Sequence, residues 1–311
     1  MVSHSIEEAQ DAVPAATSPT VSVVVPCYNG GQYIAQLLAS LAQQTFRDFE
    51  IVIVDDGSTD AATRQTLSQL DPSIRVIRQP NMGLSAARNA GIAAARADLV
   101  LPLDCDDTIE PPFLAEAVAQ MRVAPDDVAM VLCHMRLAGA GSGLLERHFN
   151  RFDVLFTNPV PSCVLLRKSS WQAIGGYDES MRDGYEDWEF CLRLMRHGYR
   201  GVTIPQPYLV YRISAGGMLF HQSSGRHAAI WRRIRQKHAA AYRPLAMWRL
   251  WRASRDGSGR DEPGQVSLLK AAMACLMAFA LPESLFSKLV ALRRQRHLLG
   301  GHRPAYVAPR H

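Results

Sequence analysis

Among the six cysteines, Cys27, Cys105, Cys133, Cys163, Cys191 and Cys275, there is no CxxC spacing and no clustered pair. Zinc modules and disulfide frameworks depend on such spacing, so the pattern argues against both and for a reducing compartment. Neither GxGxxG nor GxxxxGK(S/T) occurs, which removes the main support for a dinucleotide site or a P-loop. No apolar run reaches the roughly twenty residues that a membrane-spanning helix needs. The longest candidate, 266–281, contains Ser267 and Lys270 and stops at Pro282, so it reads as a membrane-seated or buried amphipathic helix. The first twenty residues have neither a basic n-region nor an apolar h-region, and no signal peptide is expected. Their Ala, Ser, Pro and acid content reads as a flexible leader over 1–19.

What is present is ordinary for a soluble domain: 48% of the residues are apolar and 20% charged. At 311 residues the chain is long enough for one large domain or two. Residues 21–26 are β-branched, short and stopped by Pro26, which predicts a buried strand. Ile34, Leu37, Leu38 and Leu41 then recur at helical spacing. A second strand is predicted over 49–54, a helix over 61–70, a third strand over 74–77, an alanine-rich helix through Ala97, and a strand over 99–103. Strand, loop and helix repeated three times signal a parallel sheet with right-handed crossovers. This is a nucleotide-binding type of architecture, though the pattern does not name the nucleotide.

The chemistry lies in the loops. The apolar run 99–103 ends in Asp104, Cys105, Asp106 and Asp107. Carboxylates crowded at a strand's carboxyl end repel one another unless a cation or solvent relieves them. Oxygen-rich sites of this kind suit Mg²⁺ or Mn²⁺, whose shell often includes a phosphate; an acidic turn capping the next helix is the plainer alternative. Tyr28 follows the first strand, where a ring can cover a nucleobase or be partly buried. Asp55 and Asp56 end the second strand, where a carboxylate can accept a base imide N–H or a ribose hydroxyl. An Asx turn with Ser58 or Thr59 as helix N-cap is also compatible. Arg88 sits near the start of its helix, within reach of a phosphate or a carboxylate.

The segments VSVVVPCYNGGQYI, FEIVIVDDGSTD, NMGLSAARNAGIAAA and LVLPLDCDD, in this order and spacing, resemble the family 2 inverting glycosyltransferases. The resemblance continues through CVLLRK, GGYDE and YEDWEFCLRL and fades after Tyr211 and Arg212. It implies a GT-A fold: α/β, with a Rossmann-like, mostly parallel sheet flanked by helices, followed here by a helical C-terminal extension. It further implies that Pro26 and Tyr28 shape a uracil pocket and that Asp56, beside Asp55, reads the uracil ring. Arg88 then lies near the base and donor phosphates. Asp104 and Asp106 form the DxD pair, Asp104 toward the ribose or sugar and Asp106 toward a Mn²⁺ or Mg²⁺ ion. Asp187, in the Glu186–Asp187 pair opening a helix, takes the place of the catalytic base, with Glu186 able to raise its pKa by like-charge repulsion. The implied reaction moves a sugar from a nucleotide-sugar, UDP-linked by preference, to a hydroxyl of a glycan or lipid-linked acceptor in cell-surface polysaccharide synthesis. A nucleotide-binding or scaffold protein without turnover is the alternative. One departure is that the histidine expected soon after Tyr211 and Arg212 is displaced, the nearest being His221.

The domain reading is 1–19 leader, 20–225 catalytic domain and 226–311 C-terminal region. From 226 to 255 there are nine Lys or Arg and no Asp or Glu, interleaved with Trp231, Tyr242, Trp248 and Trp251. This fits a helix on an anionic membrane surface, consistent with a cytoplasmic protein peripheral at the inner face of the membrane. Nucleic acid ranks behind, since no nucleic-acid module lies upstream. The rival reading is a solvated basic helix that packs its Trp residues on the catalytic domain.

Overall fold

The computed structural model describes residues 18–213 and 227–254, with 267, 268, 271, 272 and 275. The leader to residue 17, His221 and most of 266–281 lie outside the described residues. In chain order β1 (Val21–Cys27), α1 (Gly31–Ala42), β2 (Phe49–Asp55), α2 (Ala61–Ser68), β3 (Arg75–Arg78), α3 (Leu84–Ala94) and β4 (Leu99–Pro102) build the first half. β5 (Thr108–Ile109), α4 (Phe113–Val123), β6 (Val128–Gly139), β7 (Gly143–Leu145), β8 (Leu165–Arg167), α5 (Lys168–Ile174), α6 (Glu186–Arg196) and β9 (Arg200–Ile213) follow. One sheet holds them in the order β3-β2-β1-β4-β8-β6-β9-β5, with β7 added to β6. The strands β3, β2, β1 and β4 are parallel, as the repeat of strand, loop and helix predicts. Beyond β4 the sheet is mixed, because β8 runs antiparallel to both β4 and β6 while β9 is parallel to β6.

β1 is buried along its whole length and serves both faces of the sheet. Val21, Val23 and Val25 pack with Ile34, Leu37 and Leu41 of α1 on one side. Val24 points to the other, with Ile92 of α3 and Trp188 and Phe190 of α6 in the same cluster. On that side α3 approaches the sheet so closely that a Cβ at Gly91 would lie 2.3 Å from Val24 Cγ1 and 3.0 Å from Val54 Cγ2. Gly91→Ala is therefore expected to destabilise the fold by about 1–3 kcal/mol through overpacking, although alanine is the better helix former by about 1 kcal/mol. The urea midpoint checks this, and an unchanged midpoint would refute it.

The C-terminal helices α7 (His227–Lys237) and α8 (Pro244–Ala253) join the second layer. Ile230, Trp231, Ile234, Tyr242 and Met247 are buried in the cluster that holds Trp188. The Tyr242 hydroxyl donates to the Leu155 carbonyl at 2.8 Å, and the Arg235 guanidinium lies 4.6 Å from the Trp231 ring centre. Trp231 and Tyr242 are thus core residues rather than membrane anchors, a correction to the interfacial reading of these two side chains. The reason is periodicity: Ile230, Trp231 and Ile234 form one inward stripe of α7, while Arg232 and Arg233 face outward. Trp251 is partly buried against the same cluster, and Trp248 is 49% exposed.

A buried polar network fixes α7 to α6. Glu189, with no exposed surface, pairs with Arg193 at 2.8 Å, Lys237 at 2.5 Å and His238 Nε2 at 3.0 Å. Burial opposes the charge, but the bonds from His238 and Arg193 outweigh it and hold the carboxyl down at about 2. Arg196 Nη1 lies 3.1 Å from His238 Nδ1. Because a guanidinium only donates, Nδ1 must accept, and the ring proton sits on Nε2 facing Glu189.

Candidate active site

The carboxyl ends of β1, β2 and β4 lie side by side, so the loops after them share one rim. After β1, Pro26 is buried within the strand, while Tyr28 is 49% exposed. Asn29 adopts φ 51, a left-handed conformation that Asn tolerates. From there its side-chain oxygen accepts from the Thr59 and Asp60 amides at 2.8 and 3.2 Å, stapling the first rim loop to the second.

After β2, Asp55 closes an Asx turn by accepting from the Ser58 amide at 2.9 Å. The N-cap of α2 is Asp60, which accepts from the Thr63 amide at 2.7 Å, and not Ser58 or Thr59. Asp56 is buried and accepts three bonds: Gln79 Nε2 at 2.7 Å, the Met82 amide at 2.9 Å and the Gly83 amide at 2.8 Å. A carboxylate has about four lone-pair directions, so Asp56 orders the loop into α3 and keeps one direction for a ligand.

After β4 the carboxylates crowd. Asp104 accepts from Arg88 Nη2 at 2.6 Å on one oxygen and from the Ser162 hydroxyl at 3.1 Å on the other. Arg88 is 1% exposed, and its second arm donates from Nη1 to Glu186 Oε1 at 2.6 Å. Its carbon lies 5.5 Å from the Tyr177 ring centre. Burial alone would lower the guanidinium pKa, but the charges of Asp104 and Glu186 outweigh it and raise it. Arg88 therefore bridges two carboxylates rather than standing open to a phosphate. Asp107 is buried, with Oδ1 accepting the Arg212 amide at 2.9 Å and Oδ2 without a partner among the described residues. Burial first, then Asp104 and Asp106, push its carboxyl well above the usual range. Asp106 is raised to about 6 by burial and then by Asp104.

These shifts test whether a cation fits. The donors are all oxygens, they repel one another, and Asp107 has an unpartnered oxygen beside them, as a Mg²⁺ or Mn²⁺ site requires. Among the described residues no group of three or more His, Cys, Asp or Glu converges on one point. A cation at Asp104 and Asp106 would thus take its remaining ligands from phosphate or water. Asp106 also carries a stability consequence. The folded chain binds its proton more tightly than the unfolded chain, so the penalty is full above about pH 6 and gone below about pH 4. Asp106→Asn is expected to stabilise the metal-free protein by about 2 kcal/mol at pH 8, with the gain fading as pH falls through that window. Denaturation midpoints at pH 8 and pH 4 would decide it, and an equal gain at both would refute it.

At the opposite wall, the turn into α6 is tight: Gly184 has φ 99 and Tyr185 φ 62. A non-glycine residue in this region is strained by about 1–3 kcal/mol, here held by the Tyr185 ring set edge-on to Trp188 at 5.6 Å. Glu186 is buried; burial raises its carboxyl, Arg88 opposes this, and neighbouring Asp187 adds to the rise. Asp187 accepts from the Trp188 amide at 2.7 Å and from Asn158 Nδ2 at 2.8 Å. Asn89 joins α3 to the loop before α6, donating to the Tyr177 carbonyl and accepting from the Tyr177 amide and Trp171 Nε1. Sequence reasoning missed Asn158, Ser162, Asn89 and Tyr177, since each acts through a partner distant along the chain.

Residues 99–292 match the Glycosyl transferase family group 2, and residues 22–175 match Glycosyl transferase family 2. The chain belongs to the family 2 glycosyltransferases. It is 40% identical over 119 residues to the Putative glycosyltransferase EpsH of Bacillus subtilis, a match covering 38% of this chain and 34% of that protein. The chain thus spans about a third of that relative's length. Chondroitin synthase of Escherichia coli is 28% identical over 188 residues, covering 58% of this chain and 27% of the synthase. Among solved structures, S. aureus TarS 1-349 in complex with UDP-GlcNAc superposes with a TM-score of 0.60 at 20% identity, covering 88% of this chain and 79% of that one. The mannosyltransferase PcManGT from Pyrobaculum calidifontis, in complex with GDP-Man and Mn²⁺, gives 0.52 at 21%, covering 95% and 80%. The fold is the GT-A fold that the sequence resemblance implies.

Proposed function

We propose that the chain is an inverting glycosyltransferase that moves a sugar from a UDP-sugar to a hydroxyl of a glycan or lipid-linked acceptor in cell-surface polysaccharide synthesis. The observation carrying this is the single buried guanidinium of Arg88, which joins Asp104 of the DxD pair to Glu186 beside Asp187. The carboxylates assigned to the donor side and the acceptor side are thereby joined through one side chain. Tyr28 stacks on the uracil over the wall made by Pro26, and Asp56, supported by Asp55, offers its remaining lone pair to the imide N–H. Asp104 and Asp106 would hold Mn²⁺ or Mg²⁺ together with the donor's diphosphate. When bound, the cation neutralises the charge that develops on the leaving nucleoside diphosphate. Asp187 takes the proton from the acceptor hydroxyl, which attacks the anomeric carbon opposite the diphosphate and inverts it without an enzyme nucleophile. Arg88 acts through Asp104 and Glu186, fixing their distance and balancing their charge. The catalytic unit is placed at 20–225, with 226–311 as the C-terminal region. The outward face of α8, with Leu245 and Trp248 exposed beside Arg249 and Arg252, supports peripheral contact with an anionic inner membrane surface. No helix of the described residues is long and apolar enough to cross a membrane.

The test is calorimetric titration of UDP, GDP and TDP with and without Mn²⁺, on the wild type and Asp106→Ala. Mn²⁺-dependent binding of UDP, lost in the variant, is expected. Binding of none of the three nucleotides under either condition would overturn the proposal.

A further inference from the structure

The proposed base is held from outside its own helix. Asp187 has one carboxylate oxygen on the amide of its neighbour Trp188, and the other receives the side-chain amide of Asn158 at 2.8 Å. Asn158 lies on the loop between β7 and β8, and Ser162, farther along the same loop, donates to Asp104. The loop is anchored where it must be rigid. Trp188 Nε1 donates to the Val154 carbonyl at 2.6 Å, and the Asn150 side chain accepts from the Phe152 and Asp153 amides at 2.9 and 3.0 Å.

The orientation of the Asn158 amide is fixed by chemistry, because the flipped form would set its carbonyl oxygen against a carboxylate oxygen. In the orientation adopted, Asn158 Oδ1 is buried and unpartnered among the described residues. An unsatisfied buried acceptor costs about 1–3 kcal/mol, a penalty that a residue placed for packing alone would not carry. We propose that Asn158 is a positioning residue, whose amide aims the Asp187 carboxylate at the acceptor hydroxyl. The inference rests on the reading of Asp187 as the base. A carboxylate free to rotate about its side chain would miss the near-attack geometry, and displacement by about 1 Å can cost a hundredfold in rate.

The experiment follows UDP release from UDP-glucose, UDP-galactose, UDP-GlcNAc, UDP-GalNAc and UDP-glucuronate, with water in the acceptor's place. Wild type, Asn158→Ala, Asn158→Asp and Asp187→Asn are compared on the donor that the wild type cleaves. UDP affinity measured by calorimetry is expected to stay within about twofold in both Asn158 variants, showing that they fold. For Asn158→Ala, kcat is expected to fall about 10–100-fold with the donor KM little changed. Asn158→Asp is nearly isosteric but cannot donate when ionised, so at pH 8 it is expected to lose at least as much. Its activity relative to wild type should recover toward pH 6 as the new carboxyl takes up a proton and donates again. A purely structural role predicts the reverse order, with Asp milder than Ala and no recovery in acid, and that result would overturn the inference. Loss of turnover in Asp187→Asn with both Asn158 variants unchanged would overturn it alone. Absence of UDP release by the wild type from all five donors, or full activity of Asp187→Asn, would overturn the parent reading and this inference with it.

Discussion

Replacing Asp187 with Asn is expected to lower turnover by about a hundredfold to ten-thousandfold, the range a positioned general base supplies. The change is isosteric and keeps an oxygen for the Trp188 amide, so UDP and Mn²⁺ binding should be unaltered by calorimetry. It also removes the like charge next to Glu186, whose carboxyl is raised by burial and in part by Asp187. The new side-chain amide at position 187 then faces the Asn158 donor, which must flip to accept, so the relieved repulsion is offset and the variant should fold with close to wild-type stability. Loss of turnover with stability retained separates a chemical role from a structural one. A variant that turns over normally would leave the proposed mechanism without a proton acceptor.

The second large effect is expected at Arg88. Its guanidinium is 1% exposed and serves Asp104 and Glu186 at 2.6 Å each. Removing one member of a buried charge network leaves the others uncompensated, at a cost of about 3–5 kcal/mol. Arg88→Met should show that loss at neutral pH in urea denaturation. Lysine should not rescue it, because a single ammonium cannot reach two carboxylates on opposite sides of a planar fork. Part of the loss should be recovered on acidification. Glu186, already raised by burial, gains further affinity for a proton once Arg88 is gone, so the folded variant becomes neutral there at a higher pH than its unfolded chain. A variant within about 1 kcal/mol of wild type would show that the bridge matters little.

The sequence discloses elements whose determinants are local. β1, β2 and β4 are largely buried and read as short, mostly apolar runs, and Asp104 and Asp106 follow the end of β4. Asp56 was visible as a strand-end carboxylate, but its binding partners Gln79, Met82 and Gly83 lie 23, 26 and 27 residues further on. Arg88 could be seen near a helix start, yet its second partner is 98 residues away, so its role as a bridge emerges only from the tertiary structure. The mixed half of the sheet was equally hidden, since β8 has only three residues and reverses the strand direction through long-range pairing. Charge counting misled most in α7, where the density of arginine concealed the stripe of Ile230, Trp231 and Ile234 that faces the core.

That stripe and the Glu189 network bear on where the chain can be cut. In mechanical terms α6 is a beam: its first turn carries Glu186 and Asp187, and its later turns are bolted to Lys237 and His238 at the end of α7 through Glu189 and Arg196. Truncation at residue 225 would remove Lys237, His238 and Trp231 together. It would leave the buried Glu189 carboxylate with Arg193 alone of its three partners and uncover the flank of Trp188, whose amide and indole hold Asp187 and the Asn158 loop. The basic C-terminal helices are therefore the abutment of the helix that carries the proposed base. A load applied to them at a membrane surface would be carried by the same beam that presents Asp187.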